Sequence, residues 1–590
     1  MKKCAPLILV ILSYALLLNS CKKNSVEEEY VQTVQPTVPD LSTQINASVA
    51  GFITDETGAA VEGANVQKGT ATTVTDAYGY FKLEDVDFSK SAGYVQVKKA
   101  GYFTGTRTFL PSAGKKTFIR LQLVPKTIAG TVSSSTGGAV VTADGASVTL
   151  PANAVVLASN SNPYTGNVNI ALHWYNPADM DITQLTMPGD LRGIDSNGFL
   201  NVLTTYGMLN VELFGDGGEL LQIASGIKAS LNFPIPASLQ GTAPSSIPLW
   251  YFDESNGLWK EDGAANKTGN SYQADVSHFT PWNCDQPMPS VDFRIQIIND
   301  SLQPMSSIAV SFSVNGLANA TAVIYTNEDG IAHTTLPGNT AFVLKISSTC
   351  NSSLYTKNIN TTTSAVDLGA VQIDAMQYGG GFKGTVNKCG GLPVTNGYVI
   401  ISSAAYSQAV EIVNGSFNSG AVAVCPNSNA SVIAFDRETS VQSAIQNITV
   451  LTGTNDLGII EACGTPTSES ITFSIDGTAG SLQTPFHVFS GDFDFANNST
   501  NIHGFDQVNS TTSFDINFSG IDGTGGVHAI TGGSIILNGI TYHGVFPDLT
   551  ITNYGLIGEF ISGSFSADVT DDGGNPHTID NCTFNVYRTN

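Results

Sequence analysis

Charge is what this sequence has least of. Only 13% of its residues are charged, against about 25% in an average soluble protein. The cations are the scarcer half, 25 Lys and Arg facing 49 Asp and Glu for a net charge of −24. That balance excludes a nucleic-acid partner, because phosphate binding needs a basic surface. Helical periodicity is missing over any long stretch. Catalytic signatures are missing as well. His173, His333, His487, His503, His528, His543 and His577 stand singly, outside any HExxH. No Gly-x-Ser-x-Gly elbow follows a strand and no Gly-rich phosphate loop opens a helix. Neither a CxxC nor a Cys/His cluster offers a zinc site. The expectation is a non-enzyme without a cofactor, with structural calcium kept open at Asp492, Asp494, Asp571 and Asp572. None of these follows an EF-hand order, and turn chemistry is the competing account.

What is present is the vocabulary of strands. Aromatic and β-branched residues recur in short runs between Gly, Asn and Asp turns, the pattern of strand-rich sandwiches. A chain of 590 residues divides by length into roughly three to five domains. The reading is all-β: five tandem β-sandwich modules behind a signal peptide and a flexible tether. Their bounds are 1–20 for the signal peptide and 21–44 for the tether, then modules at 45–125, 126–285, 290–375, 378–464 and 467–590.

At the N-terminus, Lys2 and Lys3 precede an apolar run from Leu7 to Leu18. The run is too short for a spanning helix, which needs about 20 residues, and suits a signal h-region. Leu18-Asn19-Ser20-Cys21 resembles the lipobox of bacterial lipoproteins. The resemblance implies acylation of Cys21, cleavage before it, and a membrane partner reached through the lipid. Lys22 follows Cys21, which favours the outer membrane, facing the cell surface or else the periplasm. The tether with Glu27-Glu28-Glu29, Pro36 and Pro39 has too little apolar surface to fold.

In the first module, Val49-Ala50-Gly51-Phe52-Ile53 and Thr75-Asp76-Ala77-Tyr78-Gly79-Tyr80-Phe81 place half-buried strands around a turn where Gly takes positive φ. These residues resemble the carboxypeptidase regulatory-like module, a transthyretin-like sandwich of about seven strands, though a shared fold confers no ligand. The plan returns at Phe293-Arg294-Ile295 with Thr326-Asn327-Glu328-Asp329-Gly330, and at Phe382-Lys383-Gly384 with Asn414-Gly415. These read as divergent copies strung as a stalk. Likeness to adhesin B-type repeats raises an isopeptide role for Lys383. An exposed strand lysine is the plainer reading, since the module's last strand holds no matching Asn.

The second module holds all four tryptophans. Gly137-Gly138 through Leu150-Pro151-Ala152 resembles the opening of a ZU5 module, and Met187-Pro188-Gly189-Asp190 resembles cartilage intermediate layer protein and its relatives. Trp250, Tyr251 and Trp259 flank an Asn256-Gly257 hairpin. They are candidate aromatics for stacking on a sugar, with cross-strand core packing as the other account. His278-Phe279-Thr280 is similar to the His-Phe-Ser motif at which some ZU5 proteins cut themselves. In that reading His278 is the base and Thr280 the nucleophile on the Phe279 carbonyl. Pro281 restrains it by holding Thr280 extended.

Removing Cys4 and reserving Cys21 leaves six cysteines, an even number that reads as a disulfide set in an oxidising compartment. The expected pairing is sequential: Cys284–Cys350, Cys389–Cys425 and Cys463–Cys582. Three functions follow. The first is a non-enzymatic surface lipoprotein binding a glycan or an envelope or host protein. The others are an autoproteolytic module cutting between Phe279 and Thr280, and an accessory lipoprotein of an outer-membrane uptake complex.

Overall fold

In a computed structural model, the structure describes residues 38–588, apart from 315–320, 348–352, 374–379, 389–390, 404–405, 423–424, 439–440, 464–468, 484–486, 495–498, 507–510, 520–525, 545–547 and 555–559. Cys4, Cys21, Cys350 and Cys389, with the signal segment and nearly all of the tether, lie outside the described residues. The fold is all-β and built of several sandwich modules, as expected.

The first module has seven strands: β1 (Gln44–Thr54), β2 (Asn65–Lys68), β3 (Ala71–Val74), β4 (Tyr80–Ser89), β5 (Gly93–Lys98), β6 (Gly105–Phe109) and β7 (Lys116–Gln122). One sheet runs β4-β1-β7, with β1 antiparallel to β4 and parallel to β7; the other runs β3-β2-β5-β6. Val49, Ile53, Phe81, Phe88, Val95 and Ile119 fill the space between them. The turn into β4 is closed by Asp76, whose Oδ1 accepts from the backbone N–H groups of Tyr78 and Tyr80 at 2.9 Å each. Gly79 follows with φ +71°, and a Cβ there would stand 2.3 Å from the Ile53 carbonyl oxygen. Only glycine fits.

The same strand order recurs twice. In the third module the end of strand Trp282–Ile298 lies antiparallel to Ile331–Pro337 and parallel to Val366–Gln372. Its second sheet runs Thr321–Tyr325, Ala309–Val314, Ala341–Ser347, Ser353–Asn360. In the fourth, Gly380–Lys388 lies antiparallel to Ser416–Val422 and parallel to Gly453–Ala462. The likeness of the first and third modules reaches single atoms. Thr75 Oγ1 accepts from Ala64 N and donates to Val61 O. Thr326 Oγ1 likewise accepts from Ile308 N and donates to Met305 O. Asn327 Oδ1 caps its turn as Asp76 does, accepting from Asp329 N and Ile331 N.

The second module shares a strand with the third. Trp282–Ile298 pairs first with Leu200–Phe214 and Ser246–Asp253, then without a break with the strands of the third module. The expected gap between 285 and 290 therefore falls inside one continuous strand of 17 residues. The C-terminal module is a single 11-stranded sheet around one core, and a bridge from Gly491 to Arg588 brings its end strand, His487–Asp494, back to the last residues described.

A linear stalk is not what forms. Ala50, Phe52, Tyr80 and Phe118, on the outer face of the β4-β1-β7 sheet, pack against Tyr398, Ile400, Ile433 and Phe435 of the fourth module. The Tyr398 and Phe435 rings stack at 4.8 Å, and Phe118 meets Tyr325 of the third module edge-on at 5.4 Å. On the other side Tyr94 and Phe103 join Trp250, Phe252 and Trp259 of the second module. The first module is a hub, because the outer face of its β4-β1-β7 sheet is apolar, Tyr94 and Phe103 anchor its other side, and each buried aromatic is worth roughly 1.5–3 kcal/mol.

Thr326→Val keeps the shape but strands the Ile308 N–H and the Met305 carbonyl. Denaturant unfolding should show a loss of about 1–3 kcal/mol; an unchanged midpoint would remove the shared threonine latch as a stabilising feature.

Candidate functional site

The aromatic hairpin comes first. Strands Ser246–Asp253 and Leu258–Thr268 pair Phe252 with Trp259, and Trp250 and Trp259 are both fully buried. Trp250 Nε1 donates to Asp285 O at 3.1 Å and Trp259 Nε1 to Asp190 O at 2.8 Å. Neither ring offers a face to a sugar. That corrects their candidacy as ligand aromatics: they are the core of the joint with the first module. Tyr251, on the opposite face, is half-buried and packs edge-on to His278 at 5.0 Å.

His278, Phe279 and Thr280 lie just before Trp282–Ile298. Thr280 Oγ1 is 3.4 Å from His278 Nδ1. Burial holds the His278 imidazole below its ordinary value and so favours its neutral form. One residue that motif reading missed completes the arrangement. Gln222, on strand Leu220–Ile223, accepts from Phe279 N at 2.8 Å and donates from Nε2 to Phe279 O at 3.1 Å. A base, a hydroxyl and a donor on the carbonyl oxygen therefore surround the Phe279–Thr280 peptide. Gln222 stands 57 residues away in sequence, and no local pattern signals it.

The cysteines correct the expected pairing. Cys284 and Cys582 are free thiols, both fully buried, so neither Cys284–Cys350 nor Cys463–Cys582 forms. Each sits in a module core, where burial raises its thiol and leaves it inert. Cys425 and Cys463 are disulfide-bonded, while the expected partner of Cys425, Cys389, lies outside the described residues.

The remaining candidates occupy ordinary strand and turn roles. Lys383 pairs with Asp456 at 3.1 Å on the surface. Asp571 accepts from Asn575 N at 2.8 Å, and Asp572 contacts His543 at 3.1 Å. The side chain of Asp494 lies outside the described residues. Among the described residues no group of three or more His, Cys, Asp or Glu stands where it could hold a metal ion.

Polar chemistry concentrates at the joints. Between the first and second modules, Arg107 donates to Leu185 O at 2.9 Å and Gly189 O at 3.2 Å, and Gly189 N donates to Thr106 Oγ1 at 2.9 Å. Arg192 binds Asp190 through Nε at 2.7 Å and Ser91 O through Nη1 at 2.7 Å. The Met187-Pro188-Gly189-Asp190 segment is thus a docking element. Between the first and fourth modules, the Tyr398 hydroxyl donates to Asp76 Oδ2. Burial, outweighing that bond and the nearby Arg437, pushes the Asp76 carboxyl up to about 6.

No known family profile matches the chain. The chain is similar over a segment to cartilage intermediate layer protein 2. The human protein is 32% identical over 117 residues, covering 19% of this chain and 10% of that one. The mouse protein is 32% identical over 111 residues, covering 19% and 9%. The chain spans about a tenth of the length of these curated relatives. Among solved structures, a streptococcal ancillary pilin aligns at 9% identity and TM-score 0.14, over 39% of this chain and 96% of the pilin. The shaft pilin SpaA of Lactobacillus rhamnosus GG aligns at 8% and 0.17, over 30% and 98%. At such scores the chains do not superpose as wholes.

Asp76→Asn tests the joint between the first and fourth modules, with Asn327 as its natural precedent. A carboxyl at about 6 in the folded state, against an ordinary 3.8, binds its proton more tightly than in the unfolded chain. Its contribution is greatest below pH ~4 and is lost as pH rises toward ~6, by at most about 3 kcal/mol. The stability of the variant relative to the parent should therefore climb between those limits and level off above them. A difference that stays flat with pH would refute the assignment.

Proposed function

We propose that this chain is a non-enzymatic lipoprotein of the outer membrane or cell surface, anchored through Cys21, that presents β-sandwich modules to a glycan or protein ligand. The carrying observation is the hub. A ligand-presenting protein gains from surfaces held in fixed relation, because ordering cost is met before binding, and the first module is clasped on both faces by its neighbours. The lipobox-like segment, the acidic tether and the recurring sandwich plan support the same reading. The buried tryptophans shift the balance from glycan toward protein, since the hairpin proposed for sugar stacking has no open ring face.

The arrangement around Phe279 favours a second reading, self-cleavage. Thr280 Oγ1 would attack the Phe279 carbonyl carbon, with His278 taking the hydroxyl proton and passing it to the leaving Thr280 nitrogen. An ester between Phe279 and the Thr280 side chain results. Water then hydrolyses it to a Phe279 carboxylate and a new Thr280 amino terminus. Gln222 Nε2, already on the carbonyl oxygen, would steady the charge that develops there.

Two measurements separate the readings. Residues 22–590 should give saturable binding to a protein of the envelope or to members of a glycan array; a flat response in both would defeat the binding proposal. After boiling in denaturant, cleaved protein runs as two bands, and Thr280→Val restores one. A single band from the parent protein would end the self-cleavage reading.

A further inference from the structure

A cavity of about 780 Å³ opens where the first three modules meet, a size within the range of small-molecule sites. Phe118 of the first module, Leu185 and Met187 of the second, and Tyr325 and Leu336 of the third form much of its apolar wall. Its charge is out of keeping with the rest of the molecule. The chain has six arginines in all and a net charge of −24, yet Arg107, Arg120 and Arg192 all line this one space. Asp190 is the one carboxylate on its wall.

Two of these guanidinium groups are incompletely used. Arg107 spends Nη1 and Nη2 on backbone carbonyls, and its Nε is buried without a hydrogen-bond partner. Arg192, with a side chain only 5% exposed, spends Nε on Asp190 and Nη1 on Ser91, and its Nη2 is likewise buried and unpartnered. Burial lowers the Arg107 guanidinium to about 10, so it is still charged at neutral pH. Gln184 Oε1 and Thr335 Oγ1, also on the wall, are buried and unpaired as well. An unsatisfied N–H of a buried cation is among the costlier things a protein retains. A nearby anionic group lowers that cost, and Arg favours the planar carboxylate.

We propose that this cavity is a binding site for a small amphipathic carboxylate. Its head lies in the field of Arg107, Arg120 and Arg192, which outnumber the single carboxylate Asp190 on the wall, and its apolar body lies along Phe118, Met187 and Tyr325. The site joins three modules, so its occupant also ties them together. This goes beyond the surface-binding proposal and is independent of it, because it concerns an interior space and a different ligand class.

Calorimetric titration of residues 22–590 with decanoate and with decan-1-ol tests it. Decanoate should bind saturably and at least tenfold more tightly than the neutral alcohol of equal chain length. Arg107→Gln should weaken decanoate at least tenfold and leave the alcohol unchanged. Equal affinity for acid and alcohol, or no saturable decanoate binding, overturns the proposal. So does unchanged decanoate affinity in an Arg107→Gln protein that still melts cooperatively. Should that variant not fold, the acid-against-alcohol comparison in the parent protein decides alone.

Discussion

Two-sided burial of the first module is the constraint on which the rest of the arrangement depends. A sandwich of this size ordinarily buries the faces between its sheets and leaves the outer ones wet. Here Ala50 and Phe52 point outward from β1 and are as buried as Val49 and Ile53, which point in. Once the outer face is apolar it must be covered, and the aromatic face of the fourth module covers it. Ion pairs ring that contact: Glu411 meets Lys82 and Lys116 at 3.2 Å each, and Arg437 meets Glu84 at 3.7 Å. Half-exposed pairs of this kind add little energy. Their use is to set how the two faces are aligned.

Within the joints the polar groups work differently. Asp76, Asp190, Arg107 and Arg192 are withdrawn from water at module boundaries, where a mispaired charge costs more than a correct pair gains. An alignment that parted these pairs would leave buried charge uncompensated. Apolar contact supplies the attraction, and the buried charges add a cost to a mismatched joint. The first and third modules share their threonine latch but not their joint: Asp76 faces Tyr398, whereas its counterpart Asn327 carries no charge.

Much of the fold was legible because it rests on local rules. Thr75 to Gly79 and Thr326 to Gly330 could be matched by eye, and the structure gives them the same hydrogen bonds. The docking was written in the sequence too, in a form easily passed over. Gly397-Tyr398-Val399-Ile400-Ile401 is a continuous apolar run rather than an alternating one, the mark of a strand covered on both faces. The shared strand from Trp282 to Ile298 crosses the gap expected between 285 and 290, where Pro287 and Pro289 interrupt the strand pattern. Disulfide pairing was beyond reach, since six cysteines permit 15 pairings and burial, not spacing, decides that Cys284 and Cys582 stay reduced. Gln222 and the junction cavity depend on residues far apart in the chain, and a sequence pattern has no way to bring them together.

The shared strand has a mechanical meaning. At about 3.3 Å per residue, the 17 residues of Trp282–Ile298 form a rod roughly 55 Å long, laced by ladders to the second module at one end and the third at the other. A pull along that rod loads the ladder bonds in shear, many at once, instead of peeling them singly. No slack loop lies between the two modules to extend first. Tension entering at one of them is therefore handed to the other as a stiff displacement, so this part of the molecule behaves as a spar where a chain of linked beads would behave as a tether.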